Sequence, residues 1–149
     1  ALKGHVKAIA ISSTKAVAEM ARIHNTTNVV TAALGRFITA SLLIASNMKN
    51  DDDSQTTIIR SDGPVRGMTC VCDSKGHAKA YPLESEVAAT YHRPGKLNVG
   101  AAVGNGSLTV IRDIGLREPY TGSVELVVDS LDMSYNKIYL QKPSFPVPW

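Results

Sequence analysis

Both cysteines of the 149-residue chain, Cys70 and Cys72, stand two positions apart in the stretch MTCVCDS. Paired thiols at short spacing bind soft metals or exchange disulfides, and each use makes a geometric demand. On a strand, residues i and i+2 share a face with Cα atoms about 6.6 Å apart, near the outer limit for an unstrained disulfide. A structural zinc site needs four ligands, commonly as two close pairs, and the sequence holds no second pair. His77, across a short turn, extends the cluster to three at most. Thiol reactivity also needs exposure and a lowered pKa, which nothing in the neighbouring sequence implies. Cysteine is among the residue types most often buried. The expectation is therefore two small apolar side chains on a sheet face, with a thiol-based redox enzyme or sensor as the alternative.

Other candidates are weaker. His5, His24, His77 and His92 have no His-x-x-x-His or Glu-x-x-His spacing. The glycines of VGNGS precede a strand rather than link a strand to a helix, so they do not make a phosphate-binding loop. No Gly-x-Ser-x-Gly elbow occurs. Asp51, Asp52 and Asp53 lack the spacing of a calcium loop and read as a solvated turn. The expectation is a protein that is not an enzyme, with no catalytic residue, cofactor or metal.

Composition sets the class. A hydrophobic fraction of 44% and a charged fraction of 19% are those of a soluble globular domain. The net charge of +3 is spread along the chain, a weak footprint for nucleic acid. The longest apolar stretch, Phe37 to Ala45, holds Thr39 and Ser41 and falls short of the roughly 20 apolar residues of a bilayer span. It does not follow a basic leader either, so no membrane is expected and the reducing cytoplasm is the expected compartment.

The elements that position these residues begin with 5–11, HVKAIAI, which alternates as a strand does. Ser12, Ser13 and Thr14 then offer N-caps for a helix through about Ile23. From Thr27 to about Met48 there is one glycine and no proline, which predicts a helix of about 22 residues and about 33 Å. Its apolar set (Val29, Val30, Ala33, Leu34, Phe37, Ile38) covers most of the circumference, leaving a small polar face of Asn28, Thr31, Gly35 and Thr39. Such a helix is expected to be enclosed on several sides. Arg36 is the charge in its middle. If buried it needs an acidic partner, since an unpaired interior cation costs several kcal/mol, and Glu118 and Glu125 are the expected candidates.

Downstream, residues 56–61, 65–72 and 77–82, separated by the turns DGP and DSKG, predict a three-stranded antiparallel meander. Residues 84–106 read as irregular or briefly helical, and 107–113 and 122–130 as a second strand pair. Strands on either side of helical layers give an α+β fold, antiparallel β layers packed around a buried long helix. The closing QKPSFPVPW, 141–149, reads as an extended tail.

The stretches TAALGRFITASLLIASNMK (31–49), IIRSDGPVRGMTCVCDSKGHAKAY (58–81) and GKLNVGAAVGNGSLTVIRDIGLREPYTGSVELV (95–127), in that order, resemble the heat shock protein 33 family. ALGR, DGP and VGNGSLTVIRDIGLREPYTG carry the resemblance, which runs from near residue 2 to about Leu140. It implies an N-terminal chaperone core over 1–140, with two β layers around buried helix. It also implies an ATP-independent cytosolic holdase that binds unfolding client proteins under oxidative and heat stress and works as a homodimer. The family's redox switch is a separate C-terminal zinc module, with a Cys-x-Cys followed at a distance by a Cys-x-x-Cys. Cys70 and Cys72 have the first spacing but lie in the meander, so no zinc ligand carries over. The expectation is a core without its zinc regulator, prone to dimerise or swap segments, with an inactive truncated remnant as a further alternative.

Overall fold

The computed structural model describes residues 8–128 and 138–140. Helix α1 spans Thr14–His24 and α2 Asn28–Ala45. Strands β1 (Ser54–Ser61), β2 (Gly67–Asp73) and β3 (Ala78–Pro82) form the expected meander. After it come β4 (Tyr91–Arg93), β5 (Lys96–Leu97), α3 (Val99–Val103), β6 (Gly106–Asp113), β7 (Tyr120–Val128) and β8 (Ile138–Leu140). The class is α+β.

The two strand groups are not separate layers on either side of the helices. β1 pairs antiparallel with both β2 and β6, so the groups fuse into one sheet of order β3-β2-β1-β6-β7-β8, with β4 and β5 as a small ribbon of their own. The pairing of β1 with β6 joins residues far apart in sequence and leaves no local signal. Nor do residues 8–11 extend a strand. Ala8, Ile9 and Ala10 are exposed, and only Ile11 packs on the core. Residues 5–7 of that expected strand, and the tail 141–149, lie outside the described residues.

Helix α2 organises the core. Nine of its 18 residues are buried, among them Val29, Val30, Leu34 and Ile38 with no exposure. They meet Ile59, Met68, Cys70, Cys72, Ala80 and Leu108 on one face of the sheet. At about 1.5–3 kcal/mol for each large aliphatic or aromatic side chain buried, this contact dominates the stability. With a mean hydropathy of 1.6 the helix is long and apolar enough to cross a membrane, but half of it is buried within the fold, as in a core helix. Of the hydroxyls that interrupt its apolar run, that of Thr39 is absorbed locally, Oγ1 donating to Gly35 O at 2.8 Å. Helix α1 lies against the small polar face, where a Cβ on Gly35 would stand 3.2 Å from Val17 Cγ1 and Ser13 Oγ meets Thr39 Oγ1 at 2.6 Å.

The helix stops at Ala45 rather than at Met48. Ser46 Oγ donates to Leu43 O at 2.7 Å, and Asp53 draws the next backbone away, accepting from Asn50 N at 3.1 Å, Asn50 Nδ2 at 3.1 Å and Lys49 N at 3.3 Å. Asp53 is therefore not part of a solvated turn. It is buried and closes the connection from α2 to β1, whereas Asp51 and Asp52 are exposed.

The glycine-rich stretches meet each other. Asp62 N, Gly63 N and Val65 N donate to Asn105 O, Val103 O and Ala102 O at 2.8, 3.1 and 3.0 Å, and Asp62 Oδ1 accepts from Asn105 N at 2.7 Å. A Cβ on Gly63 would collide with the Val103 carbonyl, and one on Gly104, at φ 75°, with Asp62 and Gly63. The DGP turn and the VGNG loop thus form a backbone-to-backbone clasp that only glycine permits.

Replacing Gly63 with Ala is expected to destabilise the fold by about 1–3 kcal/mol, read by urea denaturation; an unchanged midpoint would show that the clasp yields. The Asp53 carboxyl is held below its usual pKa, first by the Asn50 side chain and then by the backbone N–H groups and the Arg112 charge. Its contribution is therefore present above the unfolded-state pKa of about 3.9 and lost as pH falls through the lower folded value. Asp53→Asn should lower Tm at neutral pH and flatten the acid limb of a stability-against-pH curve; an acid limb as steep as the parent's would refute the assignment.

Candidate functional site

The alternation of β2 sends Met68, Cys70 and Cys72 toward α2 and Thr69 and Val71 to the opposite face. Cys70 is fully buried, Cys72 is 1% exposed, and both are free thiols with their Sγ atoms 3.5 Å apart. Cys70 lies between Thr57 and Ala80 in register, Cys72 between Gln55 and Ala78. The S–H of Cys72, with help from Ser41, favours a thiolate at Cys70 against the cost of burial. The same neighbour, together with burial, pushes Cys72 up, so a second proton is far harder to remove than the first. His77 does not join them. It is exposed at the β2–β3 turn, its Nδ1 2.7 Å from Asp73 Oδ2, and it holds that carboxyl below its usual range.

A polar thread runs beside the thiols under α2. Gln55, fully buried, donates from Nε2 to Thr57 Oγ1 at 3.1 Å and to Ser41 O at 3.3 Å. Gln55 Oε1 accepts from Arg112 Nε at 3.1 Å, and Arg112 NH2 donates to Ile44 O at 3.2 Å in the last turn of α2. A cation there satisfies an open helix carbonyl and complements the helix dipole. Ser41 Oγ is buried and lacks a well-formed hydrogen bond, although it lies close enough to Cys70 to favour its thiolate.

Arg112, which the sequence reading did not single out, thus ties the helix to the sheet. Arg36 is exposed on α2, which removes the burial argument for an acidic partner, and partial desolvation lowers its pKa. Of the acids expected to meet it, Glu118 is exposed in the β6–β7 connection, while Glu125 projects from the sheet face opposite α2. Arg112 had a signal of its own: in SLTVIRD it follows Leu108 and Val110 on the alternating inward positions.

The face of the sheet away from α2 has a different character. Its central rows run Lys79–Val71–Thr56–Ile111–Thr121 and Tyr81–Thr69–Ile58–Thr109–Ser123 across β3, β2, β1, β6 and β7. Val71 is 42% exposed and Tyr81, on the edge strand, 46%. Threonine and branched aliphatic side chains dominate, with charge at the rim in Lys79, Arg60 and Glu125. At its β3 edge Tyr81 stands against His24 at the end of α1, ring centroids 6.5 Å apart. Among the described residues no group of three or more His, Cys, Asp and Glu gathers as a metal site.

Comparison with known proteins places this arrangement. The family model described as Hsp33 protein matches residues 1–142. The 33 kDa chaperonin of Clostridioides difficile is 46% identical over 125 residues, covering 83% of this chain and 43% of that protein. The 33 kDa chaperonin of Symbiobacterium thermophilum is 43% identical over 134 residues, covering 89% and 45%. The crystal structure of the 33 kDa chaperonin from Thermotoga maritima superposes with a TM-score of 0.69 at 29% identity, over 74% of this chain and 38% of that one. The chain spans just under half the length of the curated relatives it matches.

With both sulfurs beneath α2, the native thiols should react with Ellman's reagent at least about 100-fold more slowly than in urea. Reaction of either within the mixing time, under native conditions, would show that α2 does not seal them.

Proposed function

The chain belongs to the Hsp33 family, and from that premise we propose that it is a molecular chaperone, an ATP-independent holdase that binds unfolding proteins during heat and oxidative stress. The observation that carries the reading is the uncharged, β-branched centre of the sheet face opposite α2. A client segment that has lost its own core offers apolar side chains and open backbone groups. Val71, Ile58 and Ile111 present apolar area to the first, and the threonine hydroxyls between them present hydrogen-bonding groups to the second. Nucleotide has no part in this reading, and the glycines of VGNGS are engaged in the clasp with DGP. The partners it entails are unfolded clients and a second copy of the chain in a homodimer, in the cytoplasm. The thiol-enzyme alternative is disfavoured by the burial of both sulfurs, which denies a protein-sized or peptide substrate access.

The test is light scattering by a thermally unfolding model enzyme, without nucleotide, in the presence of the 149-residue chain. The chain should suppress aggregation, and Val71→Lys should keep Tm within about 2 °C yet lose at least about half of the suppression. Failure of the parent chain to suppress at several-fold molar excess overturns the holdase reading. A Val71→Lys chain as active as the parent overturns the placement of clients on this face.

A further inference from the structure

Neither the client-binding reading nor the polar thread uses the sulfur chemistry of Cys70 and Cys72. We propose that these two side chains form a reversible dithiol–disulfide couple inside the sheet, oxidised by a small hydroperoxide, and that closing the bond loosens β2 from α2. The inference does not depend on the client-binding reading.

Three observations support it. The Sγ atoms already face each other at 3.5 Å on one side of one strand, so no other element must move to bring them together. The neighbouring thiol and Ser41 favour Cys70 as a thiolate, the form that attacks peroxide. The buried Ser41 Oγ, without a well-formed hydrogen bond, is a polar atom available to a developing charge on sulfur or oxygen. Burial then selects the oxidant. At 0% and 1% exposure the pair is reached through local opening by a molecule of hydrogen peroxide's size, and not by a protein or a peptide disulfide.

The chemistry balances with the peroxide as the sole oxidant. The Cys70 thiolate attacks one peroxide oxygen and the O–O bond breaks. The departing oxygen takes a proton and leaves as water, or as an alcohol from an organic hydroperoxide, and Cys70 becomes a sulfenic acid. The sulfur of Cys72 attacks the Cys70 sulfur, the S–O bond breaks and the S–S bond forms. The Cys72 thiol proton leaves with the hydroxide as a second water. Two thiols have lost two electrons, and one peroxide has gained them.

Geometry supplies the consequence. The sulfurs must close from 3.5 Å to about 2.05 Å while their Cα atoms sit near the upper end of the disulfide range. The backbone at Val71 therefore has to pucker. Because β2 is hydrogen-bonded on both sides, to β1 and β3, the pucker is felt in both ladders and at the contact of Cys70 and Cys72 with α2. A disulfide under such strain is readily reduced.

The test uses the reduced 149-residue chain, exposed to excess hydrogen peroxide in native buffer, quenched, denatured, alkylated and weighed. Before oxidation two alkyl groups should attach; afterwards none should, the chain should be lighter by two hydrogens, and dithiothreitol should restore both sites. Peptide mapping should place the link within one chain, and the oxidised form should melt at least about 3 °C lower, recovering on reduction. Cys72→Ser, which keeps a hydrogen-bond donor beside Cys70 but has no resolving sulfur, should instead accumulate a sulfenic acid at Cys70 that dimedone traps. Two thiols still alkylated after oxidation, disulfides only between chains, or oxidation without a fall in Tm would each overturn the proposal.

Discussion

Nothing else in the described structure can be arranged until the apolar side of α2 is covered. Helix α2 has Arg36 as its single charge, and its largest side chains stand in two adjoining rows. A sheet of one flat, small-featured face meets that requirement, with Ala78, Ala80, Cys70 and Cys72 providing shallow positions under the helix and Ile59, Met68 and Leu108 filling the remainder. The choice of small sulfur and methyl side chains in β2 and β3 is what lets the helix approach; larger residues there would lift it and expose Leu34 and Ile38.

Apolar contact alone would let the helix slide along the sheet. The thread of Arg112, Gln55, Thr57 and the Ser41 carbonyl fixes its position, because the hydrogen bonds of buried Gln55 and half-buried Arg112 to the helix carbonyls are made in only one register. Arg112 reads the last turn of the helix through Ile44 O, and Gln55 the turn before it through Ser41 O. Asp53 then reverses the chain immediately beyond the helix, so that β1 enters beneath the residues that precede it. The helix end, the turn and the first strand are in this sense one electrostatic unit, built from three residues that bear no resemblance to a motif.

What was legible in the sequence follows from how local the determinants are. Helix α2 could be read because its apolar period and its lack of proline are written in consecutive residues, and the meander because DGP and DSKG mark its turns. The sharing of a face by Cys70 and Cys72 followed from strand alternation. The fusion of the two strand groups was hidden, since it depends on β1 choosing β6 as its second neighbour. Arg36 and Arg112 are each a lone cation in an apolar run; strand alternation puts Arg112 on the side of Leu108, and only the topology shows that this side meets the end of α2. Asp53 was hidden by company: in a run of three aspartates the one that is buried carries no distinguishing mark.

The clasp between DGP and VGNG has a consequence for the order of events as the chain emerges during synthesis. Residues 54–82 can pair among themselves as soon as they are made, but the second edge of β1 stays open until β6 arrives, after the intervening β4–β5 ribbon and α3. An open, β-branched edge is a template for unwanted pairing with another nascent chain. The clasp shortens that exposure, because docking the loop at Gly104 onto Gly63 leaves Gly106 facing Ser61, the first rung of the β1–β6 ladder. The glycines therefore act as a zipper stop, setting the starting tooth from which the remaining rungs close in sequence.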